Sequence, residues 1–120
     1  MNSTELADLV EWFEANCHLN LHNRRLIFSE LEPLLNALNS SFEVSQLGQS
    51  FESRPIYTVK VGSGKTKILI WTQMHGNEST GTKAVLDLFQ LLENPGGQQG
   101  LRDGLLKSCT LCFVPMLNPD

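Results

Sequence analysis

Two short apolar runs constrain this chain more than any other feature: "KILIW" at 67–71 and "LCFVPML" at 111–117. Both suit a buried strand and are short for a helix, because strands run about 4–8 residues and helices at least about 10. The stretch "TKILIWT" is apolar on both faces, which predicts a central strand over 67–73 covered on both sides. Between the runs, Val85, Leu88, Phe89 and Leu92 share one helical stripe. Ser79 or Thr80 can cap a helix running to about Leu92, and "ENPGGQQG" ends it with proline and glycines. "CTLCFVPML" then predicts a second buried strand over 109–117. Strand, helix and strand in this order predict a right-handed βαβ unit within a mixed sheet. Open α/β sheets place ligands beyond the C-terminal ends of their strands, and His75 lies just beyond the first one.

The flanking sequence fits the same class. Leu6, Leu9, Val10 and Phe13 predict an amphipathic helix from about Ser3 to Ala15, and Glu5 and Asp8 suit its positive N-terminal end. Leu31, Leu34, Leu35 and Leu38 repeat the pattern, with Pro33 tolerable near the first turn and "NSS" at 39–41 as the stop. From Phe42 the period becomes two. "FEVSQL" and "PIYTVKV" predict strands joined by the polar "GQSFESRP", and "GSGK" turns the chain again. The expected order is α, α, β, β, β, α, β. The fold class is α/β, a mixed β-sheet with flanking helices. Residues 1–120 are expected to form a single domain, with a helical lead-in over 1–40 and a mixed sheet with one crossover helix over 41–120.

Composition excludes some classes of partner. With 41 % hydrophobic and 18 % charged residues the chain reads as globular. A net charge of −4 and a pI near 5.3 argue against nucleic acid or an anionic membrane, both of which select basic patches. Neither apolar run is long enough to span a bilayer. The N-terminus "MNSTELADLVEWFEANC" carries acids and no basic region, unlike a secretory leader. Three cysteines then read as reduced thiols, and the expected location is cytoplasmic.

Four motifs invite chemistry. "GSGKT" at 62–66 ends like a phosphate-binding loop, but Val59 stands where such a loop needs its first glycine. It also leads into a strand, whereas phosphate is received at a helix N-terminus. A glycine-rich hairpin turn is the better reading. "CTLC" has the spacing of a zinc knuckle or a redox pair, but on a strand positions i and i+3 point to opposite faces, so buried inert cysteines are expected. "CHLNLH" offers Cys17, His18 and His22, amid asparagines that favour a loop. "HGNE" places His75 and Glu78 three apart between a strand and a helix start. A bland turn explains Gly76 and Asn77 but gives no reason for an imidazole where the sheet opens. Imidazole and carboxylate are both zinc ligands, and a turn can bring positions i and i+3 to one point.

"GQSFESRPIYTVKVG", "ILIWTQMHGNESTGT" and "VPMLNPD" occur in that order. Together they resemble the zinc metallocarboxypeptidases of the carboxypeptidase A type. That family shows G-x-S-x-E-x-R-x-I entering a strand, H-x-x-E after a central strand, and N-P-D-G after the next. The matching positions are Gly48, Ser50, Glu52, Arg54 and Ile56; His75 and Glu78; and Asn118, Pro119 and Asp120. The resemblance covers roughly residues 42–120, and the two N-terminal helices look like the lead-in of some bacterial members. It implies a carboxypeptidase-like fold, zinc as cofactor, His75 and Glu78 as its first two protein ligands, and hydrolysis of C-terminal peptide bonds.

The family's third ligand is a histidine far downstream of H-x-x-E, as are its general-base glutamate and its carboxylate-binding arginines. In this chain no histidine follows Glu78, and Glu93 is the only later glutamate. The expectation is therefore the N-terminal, truncated part of such a domain. It would be inactive alone, acting on a peptide or small amino-acid-derived substrate in the full-length protein. Self-association of the chain is also expected, with water, or His18 or His22 of a neighbour, completing any metal site. Two rivals are an N-acyl-amino-acid deacylase, which shares H-G-N-E but lacks N-P-D-G, and a non-catalytic module binding a partner through a sheet edge.

Overall fold

The change of period at Phe42 is where the sheet begins. In the computed structural model, which describes residues 2–17, 21 and 25–120, β1 (Glu43–Gln49) pairs antiparallel with β2 (Pro55–Val61). β3 (Thr66–Trp71) and β4 (Cys109–Val114) complete a sheet of order β1-β2-β4-β3. β4 runs antiparallel to β2 and parallel to β3, so the sheet is mixed, as the sequence predicts. Helix α1 (Ser3–Asn16) and helix α2 (Phe28–Asn36) precede it. The β3–β4 connection runs through α3 (Thr80–Glu93), a 3-10 turn at Gly96–Gln98, and α4 (Gln99–Ser108).

The core lies between α2, α3 and one face of the sheet. Leu31 and Leu35 of α2, and Leu86 and Phe89 of α3, cluster with Val59 of β2 and with Leu111 and Phe113 of β4. Phe89 stands edge-on to both Phe42 (5.4 Å) and Phe113 (4.9 Å). Tyr57 ties α2 to β2: its hydroxyl donates to Glu32 at 2.7 Å and its ring stacks on Phe28.

Four expectations need correction. β3 is an edge strand, not a central one, and Leu69 (60 % exposed) and Trp71 (53 %) on its outer face are uncovered. Apolar composition marks a strand that can be buried; what covers it is decided elsewhere. The stripe of α1 also stays largely open. Leu6, Val10 and Phe13 are exposed, and the helix is anchored by buried Trp12, whose indole N–H donates to the Asn94 carbonyl at 3.0 Å. α1 itself is well started: the Asn2 side chain accepts from the Thr4 and Glu5 amides, and Glu5 accepts from the Asn2 amide in return. Third, the crossover holds a second helix, α4, where glycines predict only a break. Gly100 and Gly104 face open space, and Leu105 and Leu106 pack on the core. Finally, Ser79 occupies the N-cap of α3, yet its hydroxyl makes no cap bond and serves Leu26 instead.

The "GSGKT" turn is structural, but it does not close a hairpin, because β2 and β3 each pair with β4 and not with each other. A Cβ at Gly62 would stand 2.4 Å from the Cys109 carbonyl oxygen, and one at Gly64 would stand 1.9 Å from Ser108 backbone. The Ser63 and Gly64 amides donate to the Leu106 and Cys109 carbonyls. Two of the N–H groups a phosphate would need are thus already bonded at the α4–β4 junction.

Candidate metal centre

β3 delivers the H-x-x-E motif to the end of the sheet, and hydrogen bonds carry the pairing past the strand ends. The Thr72 amide donates to the Val114 carbonyl at 3.1 Å, and the Leu117 and Asn118 amides donate to the carbonyls of Thr72 and Gln73, each at 3.0 Å. The chain leaving β3 is thus sewn to the chain leaving β4. Gln73 then turns into the left-handed region (φ 49°), which ends the strand two residues earlier than expected.

His75 to Glu78 form a turn closed by the Glu78 amide donating to the His75 carbonyl at 2.9 Å. Both residues are exposed. The turn passes into α3 through Ser79, whose carbonyl accepts the Lys83 amide at 3.0 Å. An imidazole nitrogen and a carboxylate oxygen separated by one bonded turn suit zinc in donor chemistry. Their number does not close a site, and the described residues contain no group of three or more His, Cys, Asp or Glu side chains placed to hold a metal. His18 and His22 lie outside the described residues. Cys109 and Cys112 are free thiols on β4 as expected, but they are half-buried rather than buried.

The other two motifs meet each other. Ser50, Glu52 and Arg54 belong to the β1–β2 turn, where the Ser50 amide donates to the Arg54 carbonyl and left-handed Ser53 (φ 62°) completes the bend. Asp120 closes onto this turn. Its carboxylate accepts from the Ser50 hydroxyl (2.6 Å), the Glu52 amide (3.0 Å) and the Arg54 guanidinium (2.8 Å). Arg54 bridges onward to Glu52 at 2.6 Å. The Ser50 hydroxyl bond, more than any other contact, holds the Asp120 carboxyl below its ordinary range, with the Glu52 amide and Arg54 adding to it against some desolvation. The joint borders a cavity of about 280 Å³, also lined by Arg25, Gln73, Gly76 and Asn118, so it reaches the H-x-x-E turn.

Sequence reasoning missed the residues beneath that turn. Buried Gln73 donates to the carbonyls of Leu26 and Gly76, each at 2.9 Å. Thr82 is fully buried, with its hydroxyl 2.7 Å from Gln73 Oε1 and 2.8 Å from the Pro115 carbonyl. It has one proton. A consistent assignment gives it to Gln73, while the Thr72 hydroxyl serves Pro115. The available signal was a glutamine two residues beyond an apolar strand, and a threonine one helical turn from Ser79 and from Val85 on the buried side of α3.

Residues 28–120 match the zinc carboxypeptidase family, peptidase M14. Carboxypeptidase D of Mus musculus is 32 % identical over 82 residues, which is 62 % of this chain and 6 % of that protein. The metallo-carboxypeptidase from Burkholderia cenocepacia superposes with a TM-score of 0.72 at 26 % identity, covering 80 % of this chain and 28 % of that one. The metallo-carboxypeptidase from Pseudomonas aeruginosa shares the fold, with a TM-score of 0.63 at 20 % identity over 80 % and 26 % of the two chains. The chain thus spans under a third of the length of these structures. Three motifs in one order, two of them joined through Asp120 and the third on a turn beyond β3, coincide with a family match over most of the chain: it belongs to the zinc carboxypeptidases.

Proposed function

We propose that this chain supplies the first two protein ligands, His75 and Glu78, of the zinc site of a metallocarboxypeptidase that hydrolyses C-terminal peptide bonds. The observation that carries the reading is the bonded turn from His75 to Glu78 at the C-terminal end of β3, in a chain of this family. The chemistry zinc supplies in such a site is Lewis-acid activation. The residues here bind and orient: His75 offers a neutral nitrogen, Glu78 an anionic oxygen, and the Asp120 joint fixes the neighbouring segment.

By itself the 120-residue chain does not hydrolyse peptides. Residues 79–120 include no histidine to act as a third ligand. Glu93, the one glutamate among them, accepts the Asn39 amide at 2.7 Å and is not placed as a general base. The substrate in the full-length protein is a peptide or a small amino-acid derivative. The three free thiols support a reducing, cytoplasmic setting. The exposed apolar edge at β3 supports self-association, because unprotected strand edges pair with other chains.

Zinc titration followed by a competing chelator tests the metal. Weak binding that is lost in His75→Ala is expected, and zinc affinity unaffected by that substitution refutes the assignment. Incubating the chain with a peptide and zinc should release no C-terminal amino acid. Zinc-dependent release would overturn the claim of inactivity.

A further inference from the structure

Leu26 lies nearly fifty residues before the H-x-x-E turn, yet both polar groups of its main chain are held by the residues flanking that turn. Its amide donates to Ser79 Oγ at 2.8 Å, and its carbonyl accepts from Gln73 Nε2 at 2.9 Å. The second Gln73 amide proton goes to the Gly76 carbonyl, also at 2.9 Å, and Gln73 Oε1 faces the Thr82 hydroxyl at 2.7 Å. Gln73 thereby uses both donors and its acceptor. Leu26 is 1 % exposed, Ser79 2 % and Gln73 6 %, so water does not compete for these bonds.

The Gln73 backbone adds a second observation. Its φ of 49° lies in the left-handed region, uncommon for a residue with a Cβ. A glycine would adopt it freely but could not reach Leu26, Gly76 or Thr82. The conformation aims the amide under the turn, at the carbonyl of the residue directly after His75.

We infer that Gln73, acting with Ser79 through the main chain of Leu26, is a positioning residue for the His75 and Glu78 ligands. It grips the turn at Gly76, between them, and anchors it to the segment entering α2. The inference rests on the reading of His75 and Glu78 as zinc ligands. Its physical basis is preorganisation. An exposed turn loses freedom when its side chains bind a metal, and a turn already fixed from below loses less. Groups that orient metal ligands typically account for about 10–100-fold in affinity.

Two readouts test this, and one needs no metal. Amide hydrogen exchange at Glu78, whose N–H bonds the His75 carbonyl, is compared with exchange at Phe113 in the central strand β4. Gln73→Gly keeps the backbone conformation accessible and removes the side-chain bonds. It should speed exchange at Glu78 about tenfold more than at Phe113 and weaken zinc binding by about tenfold. Ser79→Ala removes only the hydroxyl's bonds to Leu26 and should move both readouts the same way by less; if Gln73→Gly does not fold, Ser79→Ala decides. Equal acceleration at Glu78 and Phe113 would show a merely structural role and overturn the inference. Unchanged zinc affinity with a loosened turn would also overturn it. Failure of the metal reading shows up separately, as wild-type zinc binding that survives His75→Ala.

Discussion

Phe89 holds three elements together, and its truncation should be among the most damaging single changes in this chain. It is 1 % exposed, belongs to α3, and meets Phe42 ahead of β1 (ring planes at 65°) and Phe113 in β4 (88°) edge-on. Phe89→Ala removes a buried ring and leaves a cavity, a change that costs about 3–5 kcal/mol. Phe89→Leu keeps most of the apolar volume and gives up two edge contacts of about 0.5–1.5 kcal/mol each, so about 1–3 kcal/mol in all. At roughly 0.05–0.15 kcal/mol per residue the whole fold holds about 6–18 kcal/mol, so alanine takes a large share. With a urea slope of about 1.5 kcal/mol/M, a loss of 4 kcal/mol lowers the midpoint by about 2.7 M. Urea unfolding followed by far-UV circular dichroism and by tryptophan fluorescence measures this; buried Trp12 is bonded to the residue that ends α3. Phe51→Ala is the control, since Phe51 is 100 % exposed and its loss should stay within about 0.5 kcal/mol. The reasoning fails if Phe89→Ala behaves like Phe51→Ala, or if leucine and alanine at position 89 cost the same.

Two further outcomes are expected. The Ser50 hydroxyl, followed by the Glu52 amide and Arg54, lowers the Asp120 pKa below its ordinary 3.8. A carboxyl depressed in the folded state contributes stability that is full above the unfolded value and is lost as pH falls through the folded one. Asp120→Asn should therefore flatten the stability–pH curve below about pH 4, read from urea midpoints, and an unaltered slope there contradicts the joint. At the β3 edge, Leu69→Lys should abolish concentration-dependent light scattering at low micromolar protein. Leu47→Lys should not, because Leu47 (62 % exposed) lies on β1, the opposite edge, where the bulge between Gln46 and Gly48 already disturbs the ladder. A wild-type chain that stays monomeric would refute the association.

Much of the sheet was legible because its signals are local. The period of two in "PIYTVKV" needs no knowledge of what lies above it, and that stretch is β2 as read. The α3 stripe was equally readable, and Val85, Phe89 and Leu92 are buried. What escaped was information held by partners. Leu69 and Leu111 look alike in sequence, yet one is exposed on an edge strand and the other is buried in the core. Trp12 sits beside the predicted α1 stripe and takes the buried place because the Asn94 carbonyl is within reach. α4 escaped because Gly100 and Gly104 weaken helix propensity, while Leu105 and Leu106 supply the packing that outweighs it. At the candidate site, the spacing of His75 and Glu78 suggested a metal pair, and the resemblance of three ordered motifs to a known family carried that reading. The Gln73 support was not legible, since nothing in one sequence announces a left-handed glutamine.

The strand order also has a consequence for synthesis. β4 comes last in sequence but stands between β2 and β3. A growing chain can close the β1–β2 hairpin early, while β3 has no partner until Val114 has emerged. Until then the inner edge of β2 and both edges of β3 are open, and "KILIW" waits in solvent with nothing to pair with. Non-local pairing of this kind is slow and exposes sticky segments on the way. The nascent chain is therefore most vulnerable to wrong partners during translation of residues 66–114, and slowing the ribosome in that window should lower the yield of folded protein more than slowing it earlier.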